Sequence, residues 1–63
     1  MKPHQQRVID EKTELDEKLE KLNSFSQSDI FALLAEDEKK RLARQSKIMD
    51  QYSVVLGERI SAF

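Results

Sequence analysis

The sequence has no cysteine and no tryptophan, and only one glycine, one proline and one histidine in 63 residues. Without cysteine there is no disulfide staple, and one histidine cannot build a structural zinc site of the usual kind. The single glycine excludes a glycine-rich phosphate loop. A nucleophilic triad has no thiol, and His4 is the sole imidazole. No apolar run approaches the ~18 residues of a membrane span. Met1–Arg7 leads into charged sequence, so no secretory leader is expected. The expectation is therefore a cytoplasmic protein that is not an enzyme and has no cofactor and no metal.

What is present is helical. Charged residues make up 37% and hydrophobic residues 38%, the balance of long amphipathic helices or coiled coil. The net charge of −1 argues against a generally basic nucleic-acid binder. Pro3 suits the first turn of a helix. Val8, Leu15 and Leu22 recur at seven-residue spacing, with Leu19 and Ile9 widening the stripe. The outer face pairs acid with base at i,i+4 in Glu14–Lys18 and Glu17–Lys21. Asn23-Ser24-Phe25-Ser26 stops this helix, and Ser26 with Asp29 reads as a capping box. Ile30–Leu34 forms a short helix. Glu36, Asp37 and Glu38 then open a last helix, carried by Leu42, Met49, Leu56 and Phe63 and broadened by Ile48, Tyr52, Val55 and Ile60.

The fold expected is all-α: an antiparallel helical hairpin in one domain, with helices at about 3–23, 27–34 and 36–61, assembling into a homo-oligomeric bundle. Antiparallel pairing sets Leu22 near Leu42, Leu15 near Met49 and Val8 near Leu56, give or take a turn. A single core of this size is marginal without a staple or a partner. The last helix also has more apolar residues than one partner helix covers, which points to other copies of the chain; the alternative is a monomer with an apolar edge. Gly57 costs ~1 kcal/mol relative to Ala in a helix, and either admits a close neighbour or is a tolerated surface glycine.

Two features have chemical potential. The segment Lys39–Lys47 holds Lys39, Lys40, Arg41, Arg44 and Lys47 and no acid. Lys40, Arg44 and Lys47 share one helical face, with Arg41 and Gln45 on the adjoining row. Such a strip either binds phosphate, with arginine giving bidentate donors, or is a solvated face balanced by the acidic first helix. The second feature is polarity in the seam, where Lys12 faces Tyr52 and Ser53, and Gln45 interrupts the Leu42–Met49 row. Buried polar side chains are costly unless paired. They either specify register, or Lys12 and Tyr52 line a ligand pocket with the amino-terminal Gln5, Gln6 and Arg7. Face geometry thus nominates Lys12, Arg41, Arg44, Lys47 and Tyr52 as ligand-binding residues. Duplex DNA and membranes fit poorly, because no helix-turn-helix is present and the polar faces are mixed in sign.

The segments Pro3–Lys12, Glu14–Leu19, Arg41–Gln45, Met49–Ser53 and Leu56–Ile60 resemble a family of very small helical-hairpin proteins of tailed bacteriophages and prophages, related to a crAss-like phage protein. That resemblance implies no enzymatic role. In size and plan the chain is also similar to phage sponges, oligomeric helical hairpins that sequester the cyclic oligonucleotide signals of bacterial immunity through Lys, Arg and Tyr at subunit interfaces. The function implied is anti-defence: sequestration of a cyclic oligonucleotide or cyclic ADP-ribose type signal in the infected host, without cleavage. The alternative is a helical module that inhibits or bridges a host or phage protein.

Overall fold

A computed structural model describes residues 2–63, so Met1, where the leader reading begins, lies outside the described residues. Three helices follow in order: α1 Pro3–Phe25, α2 Asp29–Ala32 and α3 Glu36–Ser61. Pro3 occupies the first turn of α1, and the side-chain oxygen of Gln5 accepts the Lys2 N–H at 3.1 Å. That bond satisfies a donor outside the helical ladder. Glu36, Asp37 and Glu38 fill the first turn of α3, where the helix dipole favours acid. Ala35 precedes them without a side-chain cap.

The cap of the short helix falls two residues later than the sequence pattern predicts. Ser26 is not the N-cap of the short helix. Its backbone is helical, at φ −63° and ψ −16°, and its hydroxyl donates back to the Leu22 carbonyl at 2.9 Å. The cap is Ser28, which is extended and accepts the Phe31 N–H at 3.2 Å. An N-cap needs that extended backbone to aim its oxygen at the next turn. The Ser28 hydroxyl also donates to the Phe25 carbonyl at 2.6 Å, so one side chain joins the end of α1 to the start of α2. Phe25 and Phe31 close the turn edge to face, with centroids 6.0 Å apart.

α1 and α3 run antiparallel and pack along their length into a body of 46 × 15 × 13 Å. Val8 and Leu56 are buried, and Leu15, Leu19, Leu22, Leu42, Met49 and Ile60 are half-buried along the seam. Four hydrogen bonds across the seam set the stagger: Tyr52 to Glu11, Lys12 to Ser53, Ser53 to Asp16 and Ser46 to Asn23. These lie within about a turn of the pairing the heptads predict. Ser46 is the polar seam residue between Leu42 and Met49, whereas Gln45 is exposed. Phe63 lies beyond the end of α3 and is half exposed, so it does not extend the seven-residue row. Among the described residues no helix is long and apolar enough to cross a membrane.

Candidate functional site

The first half of α3 carries a shallow groove of about 300 Å³ lined by Arg41, Arg44, Gln45, Ile48 and Met49. Helical spacing explains the set. Arg41, Gln45 and Ile48 follow at i, i+4 and i+7 on one row, with Arg44 and Met49 on its two sides. Arg41 Nε donates to Glu38 Oε1 at 2.8 Å in an exposed pair. This bond orients the guanidinium and leaves both terminal nitrogens without a hydrogen bond among the described residues. Arg44 has no ion pair among the described residues. The Gln45 side-chain amide points at the Met49 sulfur, 3.8 Å away. Guanidinium edges therefore stand beside an aliphatic and thioether floor. Such a surface suits an anion attached to a flat, weakly polar body, because arginine binds phosphate bidentately and the floor accepts a ring face.

The nominated residues do not all converge there. Lys47 does not line the groove. Tyr52 stands one turn beyond Ile48 on the same row, with its hydroxyl donated to Glu11 of α1. Tyr52 as a whole residue is 44% exposed. The phenol tip is thereby held while the ring remains open to solvent.

Lys12 belongs to a separate cluster in the seam. Its ammonium donates to Asp16 Oδ2 at 2.8 Å and to Ser53 Oγ at 3.0 Å. Ser53 in turn donates its hydroxyl to Asp16 Oδ1, and is only 7% exposed. The three side chains close a ring of hydrogen bonds. No side-chain polar atom is buried without a partner among the described residues. The hydrogen bond from Lys12, joined by that from Ser53, holds the Asp16 carboxyl below its ordinary value of 3.8. Lys12 and Ser53 both donate to the Asp16 carboxylate from opposite helices, so the cluster reads as a clasp between helices. Gly57 makes room for it: a β-carbon there would stand 3.4 Å from Lys12 Cε. The close neighbour that the glycine admits is thus a lysine stem of the same chain.

A larger depression, about 390 Å³, lies on α1 and is lined by Glu17, Glu20, Lys21 and Ser24. Its two carboxylates repel an anion, so the smaller basic groove is the better candidate for phosphate. The strip Lys39–Lys47 carries the signal for that groove in the sequence. Its floor of Ile48 and Met49, and the Glu11 partner of Tyr52, lie outside that strip and outside the nominated set. In the sequence Ile48 and Met49 are legible as part of the last helix's apolar face, not as the floor of a site.

A family model, Sequestin, matches residues 2–62, and the chain belongs to that family. Comparison with curated proteins and with solved structures gives no match.

Proposed function

We propose that this member of the Sequestin family is a phage anti-defence protein. In this reading it binds and holds a nucleotide-derived immune signal, of cyclic oligonucleotide or cyclic ADP-ribose type, in the cytoplasm of an infected bacterium and does not cleave it. The family's name suggests a sequestering function. The observation that carries the ligand class is the juxtaposition of Arg41 and Arg44 with the Ile48–Met49 floor. Phosphate charge meets the two guanidinium groups, and a base or ribose face lies on the floor or on the open ring of Tyr52. Holding without conversion fits the state of Ser53, whose hydroxyl is engaged by both Lys12 and Asp16.

Calorimetry against a panel of cyclic di- and trinucleotides and cyclic ADP-ribose species tests the reading. Binding to at least one of them, lost on combined Arg41→Glu and Arg44→Glu substitution, is expected. No heat with any of them sinks it.

A second reading rests on a different observation. Ile48 and Val55 are 55% and 48% exposed on one face of α3, which also fits a module that inhibits or bridges a host or phage protein. Under that reading, polar substitution of Ile48 and Val55 abolishes inhibition of the target, and charge reversal at Arg41 and Arg44 does not.

A further inference from the structure

The sulfur of this chain is carried by methionine alone, at Met1 and Met49, and Met49 is the one within the described residues. Met49 serves two surfaces at once. It is half-buried along the seam, and it lines the basic groove with Arg41, Arg44, Gln45 and Ile48. Seam packing does not call for sulfur. Leu42 and Leu56, seven residues to either side, fill the same row with leucine, and leucine and methionine exchange readily in cores. The groove uses the sulfur differently. The Gln45 side-chain amide, one turn earlier and exposed, donates to it at 3.8 Å. A thioether is a weak acceptor. The donor is thus in place, and the acceptor it meets is poor.

A thioether that solvent reaches is a substrate for peroxide. A lone pair of the Met49 sulfur attacks one oxygen of hydrogen peroxide, and the O–O bond breaks as the S–O bond forms. The hydroxide that leaves takes the proton from the transferred oxygen and departs as water. Sulfide is oxidised to sulfoxide, and the peroxide is reduced. The guanidinium groups of Arg41 and Arg44 border the same groove, and positive charge favours the departing hydroxide. The product is polar where the thioether was apolar. Its oxygen carries partial negative charge and accepts hydrogen bonds strongly. Methionine has three rotatable bonds, and rotation about Cγ–Sδ brings the new oxygen to the waiting Gln45 amide.

We propose that Met49 is a site of reversible oxidation by peroxide, and that its sulfoxide, held by the Gln45 amide, closes the Arg41–Arg44 groove to anions. Two changes in the groove produce the closure. The floor loses its apolar character, so a ring face no longer lies on it. The sulfoxide oxygen also competes with an incoming phosphate for guanidinium donors. Arg44 is the group that turns to it, because Arg44 has no ion pair among the described residues, whereas Arg41 is tied through Nε to Glu38. The hairpin itself survives. The oxygen stands on the groove side with Gln45, and the methylene stem of Met49 stays in the seam. Val8 and Leu56, the buried apolar pair, lie farther along the hairpin. Loss of a nucleotide on oxidation rests on the sequestration reading. The oxidation site and its contact with Gln45 do not.

The absence of cysteine makes the oxidation simple to follow. The folded protein is treated with hydrogen peroxide and mapped by peptide mass. One oxygen atom is expected at Met49, with the helical circular dichroism retained. The side-chain amide proton resonances of Gln45 should move downfield on oxidation, and in Met49→Leu protein peroxide should leave them in place. Calorimetry with 3′,3′-cyclic di-GMP or cyclic ADP-ribose should show affinity falling at least about tenfold, as for one charge-assisted hydrogen bond lost. Methionine sulfoxide reductase should restore it. Whatever affinity Met49→Leu protein has, peroxide should not change it. A Met49 that stays unmodified at peroxide doses that oxidise the isolated peptide Gln45–Ser53 overturns the proposal. So does an oxidised protein that has lost its helix, one whose Gln45 resonances stay in place, or one that binds as the reduced protein does. If the reduced protein binds neither nucleotide, sequestration of those ligands fails, and inorganic pyrophosphate becomes the probe. Its titration, followed at the Arg44 Nε proton, should shift that resonance in the reduced protein and leave it still in the oxidised one. An equal shift in both, or in neither, overturns the closure.

Discussion

The ammonium of Lys12 reaches the hydroxyl of Ser53 at 3.0 Å across the seam of the hairpin. The heptad rows of the two helices would tolerate a slip by a turn, since leucine meets leucine or methionine either way. This polar bond does not tolerate it. A slip leaves Ser53 buried against apolar neighbours with its hydroxyl unpaired, at a cost of about 1–3 kcal/mol. Seam polarity therefore acts here as a register device, one of the two readings open at the level of sequence.

The clasp makes stability acid-sensitive. Asp16 is held below its ordinary value in the folded chain, first by Lys12 and then by Ser53. A carboxyl with a depressed folded pKa binds fewer protons folded than unfolded. Its contribution is thus present above 3.8 and is lost as pH falls through the folded value beneath it. Urea midpoints should fall with acidification in that range, and Asp16→Asn should flatten this part of the profile. An identical acid slope in the Asn variant removes the role assigned to Asp16.

Gly57→Ala should stabilise the hairpin by about 0.5–1 kcal/mol, the helix-propensity gain of alanine. The new β-carbon meets only the Lys12 stem, 3.4 Å away, and that flexible stem can yield. Thermal or urea denaturation at fixed protein concentration measures the change. Marked destabilisation indicates that the close approach of Lys12 is rigid.

The two turn serines should behave differently. Ser28→Ala removes the N-cap of α2 and its bond to the Phe25 carbonyl, and should cost about 1 kcal/mol or more. Ser26→Ala loses only a hydroxyl bond back to Leu22 within the same turn and should cost less. Equal losses in denaturation, or the reverse order, contradict the placement of the cap at Ser28.

Within the basic strip, Arg44 should matter most for anion affinity. Arg41 already spends Nε on Glu38, and Lys47 does not line the groove. Arg44→Ala is expected to weaken ligand binding about tenfold or more, the cost of a charge-assisted bond of about 1.5–3 kcal/mol. Lys47→Ala should change it by less than about threefold, as for a surface charge acting at a distance. Titration calorimetry with whichever cyclic nucleotide binds the parent protein gives both values, and the opposite ranking transfers the site to the Lys40–Lys47 face.

Much of the architecture was legible without coordinates, because helical periodicity is a local property. The spacing of Val8, Leu15 and Leu22, and of Leu42, Met49 and Leu56, assigns each helix its inner face wherever the helix lies. Pro3 and the acids Glu36–Glu38 mark two helix starts by backbone and dipole chemistry that needs no neighbour. The basic strip and the surplus Ile48–Val55 edge were visible for the same reason. Only the tertiary structure decided the rest. Periodicity leaves the axial stagger open, so the Lys12–Ser53 and Asn23–Ser46 bonds had to choose it. Gln45 and Ser46 differ by about 100° around the helix. Which of them enters the seam depends on where α1 settles, and it is Ser46. Gly57 and Lys12 are likewise far apart in sequence, and only the crossing of the helices explains why the one glycine stands beside that lysine. The groove divides along the same line: its guanidinium groups follow from local order, while the separation of Lys12 from Arg41 and Arg44 follows from a stagger that puts its ammonium on Ser53.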